Sequence, residues 1–142
     1  MTNAATQLPR FASPKVDVEY RDDGCVLLRS PVPLGVYPNQ LGQHLRNWAS
    51  TARDRLFLAE REGQGWRGVT YSQALSDVNS ISQWLLDHTQ SLEKPIMILS
   101  GNSVNHGLLT LASMQVGIPV APISTAYSLM SRDYSKLHYI FD

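Results

Sequence analysis

Apolar residues along this chain fall into three patterns, continuous, helical and alternating, and each predicts a different element. Pro95-Ile96-Met97-Ile98-Leu99 is an unbroken apolar run, which suits a strand covered on both faces, as in a parallel sheet. Ile118-Pro119-Val120-Ala121-Pro122 is a second run, too short and too rich in proline for a helix. Between them, Val104 to Val116 reads as a helix. Asn102 or Ser103 offers an acceptor to the free N–H groups of its first turn, and Gly117 supplies its stop. Strand, helix and strand in direct succession predict a βαβ unit with its two strands adjacent and parallel. The helix is apolar on nearly every face, so it belongs deep in the fold. Gly107 within it costs up to ~1 kcal/mol relative to Ala, which predicts that another backbone passes close by.

Met1 to Lys15 has no periodicity and reads as a flexible lead; residues 16 to 142 carry the fold. Val16 to Arg29 alternates around Asp22-Asp23-Gly24 and predicts a β-hairpin. A three-residue turn with Gly24 left-handed sets Val18 opposite Leu28 and Tyr20 opposite Val26, which keeps one face apolar; a two-residue turn does not. Ser30 to Asn39, with three prolines, predicts a rigid surface connector rather than a linker between independent domains. Leu41, Leu45, Trp48, Ala49 and Ala52 form one stripe of a helix from Gln40 to about Ala52, with Asn39 as its N-cap. Leu56 to Glu60 and Trp66 to Val69 read as strands joined by the turn at Glu62 to Gly65.

Thr70-Tyr71-Ser72-Gln73 is a capping box that opens a helix reaching about His88, with Ala74, Val78, Ile81 and Leu85 inward and Leu75 and Leu86 widening the stripe. After the second buried run, Ser124 to Met130 reads as a polar loop. Ser131 is placed to cap a last helix with Asp133 in its first turn and Tyr134, Leu137 and Phe141 inward. The fold class is therefore α/β, a partial parallel sheet with covering helices and an N-terminal β-hairpin.

Charge and composition narrow the partners. Twelve basic and twelve acidic side chains give 142 residues a formal charge of zero, so no electrostatic footprint for nucleic acid or an anionic membrane is present. No apolar run approaches the ~20 residues that span a bilayer. The single Cys25 makes no internal disulfide, and the N-terminus lacks a secretory pattern, which implies a cytoplasmic setting.

Candidate chemistry is sparse. GQGWRG, with Gly63, Gly65 and Gly68, matches the dinucleotide string GxGxxG, but the next helix starts after the string rather than within it, so no amide N–H groups are aimed at a pyrophosphate. Ser91-Leu92-Glu93-Lys94 spells the SxxK of some serine acylases but stands in a loop ahead of Pro95 instead of opening a helix. Cys25 has neither a base nor a helix start beside it. His106 invites a catalytic reading, yet His44, His88 and His138 belong to other elements, and a structural histidine accounts for it. The residues define no catalytic, cofactor-binding or metal-binding site.

Four phrases resemble a known family. They are LLRSPVPLGVY from Leu27, LGQHLRNWASTARDRLFLAER from Leu41, WRGVTYSQAL from Trp66, and ILSGNSVNHGLLTLASMQVGIPVAPISTAYSLMSRDYSKL from Ile98. In order and spacing they resemble the N-terminal part of the AMP-binding, adenylate-forming acyl-CoA synthetases, and most closely the feruloyl-CoA synthetases. The departures are Arg53-Asp54, where such proteins commonly have Pro-Asp, and Asn105, where they have an acidic residue. The resemblance implies that Val16 to Asp142 is the start of an adenylation domain, apparently truncated. Its intact form would be an ATP-dependent acid–thiol ligase using ATP, Mg²⁺ and coenzyme A. The family's phosphate loop, its acidic residues near ATP and its C-terminal lysine match no position here, so the segment alone is expected to be inactive and to hold no cofactor.

Two other classes stay open, a stand-alone interaction module and an unrelated small domain that binds a ligand past its strand ends. Two short buried strands leave apolar surface for the remainder of a synthetase, or a second copy of the chain, to cover. Because no phosphate loop is present, calorimetric titration of the isolated chain with Mg-ATP is expected to show no saturable binding. One site per chain would mean that GQGWRG does hold a nucleotide.

Overall fold

The structure is a computed structural model that describes residues 13, 15–88, 91 and 93–141. It is mixed α/β and divides into two compact units, 1–37 and 38–142. The division falls within the proline-rich stretch from Ser30 to Asn39. Most of the expected flexible lead lies outside the described residues.

In the first unit, β1 (Asp17–Tyr20) pairs antiparallel with β2 (Val26–Arg29), with Val18 opposite Leu28 and Tyr20 opposite Val26 as the apolar pattern requires. The Asp22-Asp23-Gly24 turn works because Gly24 takes a φ of 81°, a left-handed conformation that costs a side-chain-bearing residue about 1 to 2 kcal/mol. Asp23 Oδ1 accepts the Cys25 N–H at 2.9 Å. On the polar face Glu19 pairs with Arg29 at 2.8 Å and Arg21 at 3.2 Å. The opposite face, with Val18, Tyr20, Val26 and Leu28, is exposed.

The second unit is built on two helices. Both the start and the end of α2 (Tyr71–His88) are those expected. The Thr70 N–H donates to Gln73 Oε1 at 2.9 Å, and the Gln73 N–H donates to Thr70 Oγ1 at 3.3 Å, so the capping box is reciprocal. α3 (Val104–Gln115) starts at Ser103, whose Oγ accepts the His106 N–H at 3.1 Å. It ends in a Schellman motif: the Ile118 N–H reaches Ser113 O at 2.9 Å, the Gly117 N–H reaches Met114 O at 3.4 Å, and Gly117 has a φ of 77°. Ala74, Val78 and Leu85 of α2 and Val104, Leu108 and Ala112 of α3 share one core with Leu45, Val69 and Ile118. Ser82 and Ser113 are buried among them. The Ser82 hydroxyl donates to Ala112 O across the seam at 3.1 Å, and Ser113 donates to Leu109 O at 2.8 Å, so neither buried hydroxyl is left unpaired.

Around this pair lie α1 (Gly42–Thr51), the antiparallel strands β3 (Leu56–Glu62) and β4 (Gly65–Thr70), and the parallel strands β5 (Ile96–Ile98) and β6 (Val120–Pro122). β5 and β6 pair in register from Ile96 opposite Val120 to Ile98 opposite Pro122, as the βαβ reading requires. In β3 a register shift between Leu56 and Leu58 inserts Phe57 as an extra residue. Strict alternation would send Phe57 and Leu58 to opposite faces, but the bulge half-buries both.

Four expectations are corrected. Asn39 does not cap α1; the helix starts at Gly42 without a side-chain cap, behind a backbone turn in which the Gln43 N–H bonds Gln40 O. Gly107 is approached by a side chain and not a backbone, since a Cβ there would lie 3.3 Å from Leu58 Cδ1. The expected loop at Ser124 to Met130 contains a short helix, α4 (Thr125–Ser128), because Ser124 Oγ accepts the Ala126 N–H at 3.3 Å. The last helix, α5 (Ser135–Phe141), is capped by Asp133 rather than Ser131, as the carboxylate accepts the Ser135 N–H at 2.9 Å; it buries no residue, and Tyr134 and Phe141 are exposed. Leu86 of α2 and Met114 of α3 are also exposed, so neither helix is covered on every apolar face.

Glu60 ties the β3–β4 hairpin to α3. Its Oε2 accepts the Val104 N–H at 2.9 Å, its Oε1 meets Arg67 Nη1 at 2.8 Å, and Arg67 Nη2 donates to Asn105 Oδ1 at 3.2 Å. The carboxylate satisfies an orphan donor and lies at the positive end of the helix. Glu60→Ala is expected to lower stability by about 2 kcal/mol, because it leaves the part-buried Val104 N–H unpaired. Urea unfolding followed by circular dichroism measures this, and an unchanged midpoint would remove the clamp's role.

Candidate functional site

Parallel strands end on the same edge of their sheet, so the segments that follow β5 and β6 meet there. In open parallel sheets that edge is where ligands bind. A cleft of about 390 Å³ opens at this edge, lined by Ser100, Gly101, Asn102, His106, Pro122, Ile123, Ser124 and Thr125. Ser100 to Asn102 lie between β5 and α3, and Ile123 and Ser124 lie between β6 and α4. His106 enters from the first turn of α3, three residues past the Ser103 cap.

His106 Nδ1 lies 3.0 Å from Ser100 Oγ, which is also 3.1 Å from Gly101 O. The single hydroxyl proton serves one of these acceptors. When it goes to Gly101, His106 carries its proton on Nδ1 and donates to the serine; when it goes to His106, the ring proton sits on Nε2. Either arrangement fixes the ring. No Asp, Glu, Lys or Arg lines the cleft. A nucleophile needs a base that is itself oriented by a third group, and the lining supplies only the first two. The cleft presents hydrogen-bonding groups to a small ligand without completing an acyl-transfer triad. Two donors at the start of α3 are already taken, the Val104 N–H by Glu60 and the His106 N–H by Ser103.

A second cavity, about 290 Å³, is lined by Leu41, His44, Leu45, Trp48, Phe57, Tyr71 and Leu111. Its wall is an aromatic ladder, with Phe57 and Tyr71 centroids 4.6 Å apart and Trp48 and Tyr71 5.8 Å apart. Phe57 contributes to it through the β3 bulge.

The other residues weighed from the sequence stand apart. Gly63, with φ 59°, turns the β3–β4 hairpin, and Gly65 and Gly68 lie in β4, so GQGWRG is hairpin and strand with α2 starting beyond it. Ser91 and Lys94 lie outside any helix. Cys25 is exposed beside the β1–β2 turn. His44, His88 and His138 sit on α1, α2 and α5. Among the described residues no group of three or more His, Cys, Asp or Glu could hold a metal ion. None of the described helices is long and apolar enough to cross a membrane. Ser100 was not singled out from the sequence; the signal available was a polar residue directly after a buried strand, at the edge where α3 begins.

Comparison with solved structures finds the same fold in part of a fatty acyl-adenylate ligase from L. pneumophila, solved in complex with acyl adenylate and pyrophosphate. The match has a TM-score of 0.55 at 15% identity and covers 59% of this chain. This chain spans about 15% of the ligase's length. No protein-family model matches the sequence, and no curated protein matches it. The likeness is therefore one of fold: over 59% of its length the chain has an α/β arrangement similar to a part of that ligase.

Ser100→Ala is expected to release the His106 ring while costing less than ~1 kcal/mol, because the bond is only part-buried. Ring ¹⁵N shifts follow this directly. A tautomer ratio unchanged by the substitution would show that Ser100 does not hold the ring.

Proposed function

We propose that this chain is the N-terminal segment of an adenylate-forming ligase that activates a carboxylic acid with ATP and passes the acyl group to coenzyme A. The observation that carries the reading is the fold shared with part of the fatty acyl-adenylate ligase. The four phrases that resemble feruloyl-CoA synthetases support the finer reading of an aryl acid as substrate, and the single Cys25 with no secretory pattern supports a cytoplasmic setting. In this reading the segment is a scaffold that lacks the phosphate-binding chemistry, and it is inactive alone. The remainder of the ligase would extend the β5–β6 pair, since two three-residue strands are too few to stand as a sheet.

A second reading, a small-ligand-binding module, is favoured by the cleft at the strand ends and by the Ser100–His106 pair within it. Reading the nucleotide sequence past the Asp142 codon separates the two. A continuing frame that encodes a Ser/Thr/Gly-rich phosphate loop with its lysine is expected, and its product should catalyse acid-dependent exchange of pyrophosphate into ATP. A frame that closes without such a loop would overturn the ligase reading and leave the module.

A further inference from the structure

The cleft past the ends of β5 and β6 is polar without being charged, and that combination narrows what it can hold. An ion leaves water at a high cost unless a counter-charge meets it, and no Asp, Glu, Lys or Arg lines the cleft. The start of α3 is a source of positive potential at this edge, but the Glu60 carboxylate already sits on it, accepting the Val104 N–H at 2.9 Å. Glu60 also lines the neighbouring cleft, which shares Asn102 with this one. Its partner Arg67 meets α3 only through the Asn105 side chain. An anion entering here would approach a carboxylate, and a cation would find none on the lining.

Among the described residues, three polar groups on the lining have no hydrogen-bond partner: the Asn102 amide, the Thr125 hydroxyl and His106 Nε2, the ring nitrogen that Ser100 does not engage. The Ser100 proton sets the role of Nε2. With that proton turned to Gly101 O, Nε2 accepts; with it turned to His106 Nδ1, Nε2 donates. A ligand carbonyl serves one arrangement and a ligand N–H the other, whereas a hydroxyl turns to serve both. Asn102 and Thr125 each offer a donor and an acceptor as well. Pro122 and Ile123 supply an apolar wall for C–H groups, and a volume of about 390 Å³ falls within the range of small-molecule sites. We propose that the cleft binds an uncharged polyhydroxyl compound of monosaccharide size through Asn102, His106 and Thr125. The proposal rests on the ligand-binding reading of the cleft and adds to it the class of ligand.

Glucose is the probe, titrated into the 142-residue chain labelled with ¹⁵N in its histidine rings. The His106 signals are expected to move and saturate with a dissociation constant on the order of 10 mM, while those of His44, His88 and His138, on other helices, stay in place. Asn102→Ala and Thr125→Val should each weaken binding about three- to tenfold, the worth of one neutral hydrogen bond. Their circular dichroism should be unchanged, since neither side chain is buried. Thr125→Ser, which keeps the hydroxyl, should bind glucose as the native chain does. Phosphate, acetate and methylammonium at matched ionic strength should leave His106 unmoved. Saturable binding of one of these ions in place of glucose overturns the proposal and leaves the ligand-binding reading standing, whereas a cleft that binds none of the probes overturns both. Glucose binding that survives both Asn102→Ala and Thr125→Val overturns the assignment of the site.

Discussion

The second unit depends on how closely α2 and α3 approach, and small side chains set that approach. Ala74, Val78 and Ser82 on one helix and Ala112 and Ser113 on the other are buried, and the Ser82 hydroxyl reaches the Ala112 carbonyl across the seam. A seam of larger residues would hold the helix axes farther apart and forfeit that bond. With the helices fixed, the Schellman end of α3 delivers Ile118, 2% exposed, into the same core and leads directly into β6. The parallel pairing of β5 and β6 is thus a consequence of where α3 stops.

The candidate cleft inherits its geometry from this arrangement. His106 lines it because α3 starts at Ser103, and two acceptors hold that start: the Ser103 hydroxyl from within the chain's local sequence, and the Glu60 carboxylate from β3, 44 residues earlier. The Arg67–Asn105 bond fastens the same turn a second time. The antiparallel hairpin, though remote in sequence, thereby orients the ring that faces the strand ends.

The two units differ in how well they satisfy themselves. The hairpin of the first unit meets its backbone and charge requirements on one side while leaving Val18, Tyr20, Val26 and Leu28 in water on the other. In the second unit the exposed apolar residues gather towards the later elements, α4 and α5, while the seam between α2 and α3 is closed. The core of the second unit is thus complete at one seam, while apolar side chains stand in water elsewhere.

The sequence by itself determined what is decided within a few residues. The Thr70–Gln73 capping box, a cap at Asn102 or Ser103, the left-handed Gly24, Gly117 as the stop of α3, and the register of Val18 against Leu28 each depend on local hydrogen bonds or on alternation, and each was legible. Tertiary structure alone decided whatever depends on residues distant in the chain. The β3 bulge places Phe57 against Tyr71, Leu58 rather than a backbone fills the space beside Gly107, and Glu60 reaches Val104. It also decided burial. Tyr134 and Phe141 have the spacing of an inward stripe, but spacing fixes only which side chains share a face of a helix; whether that face is covered depends on a neighbour, and α5 has none that buries it.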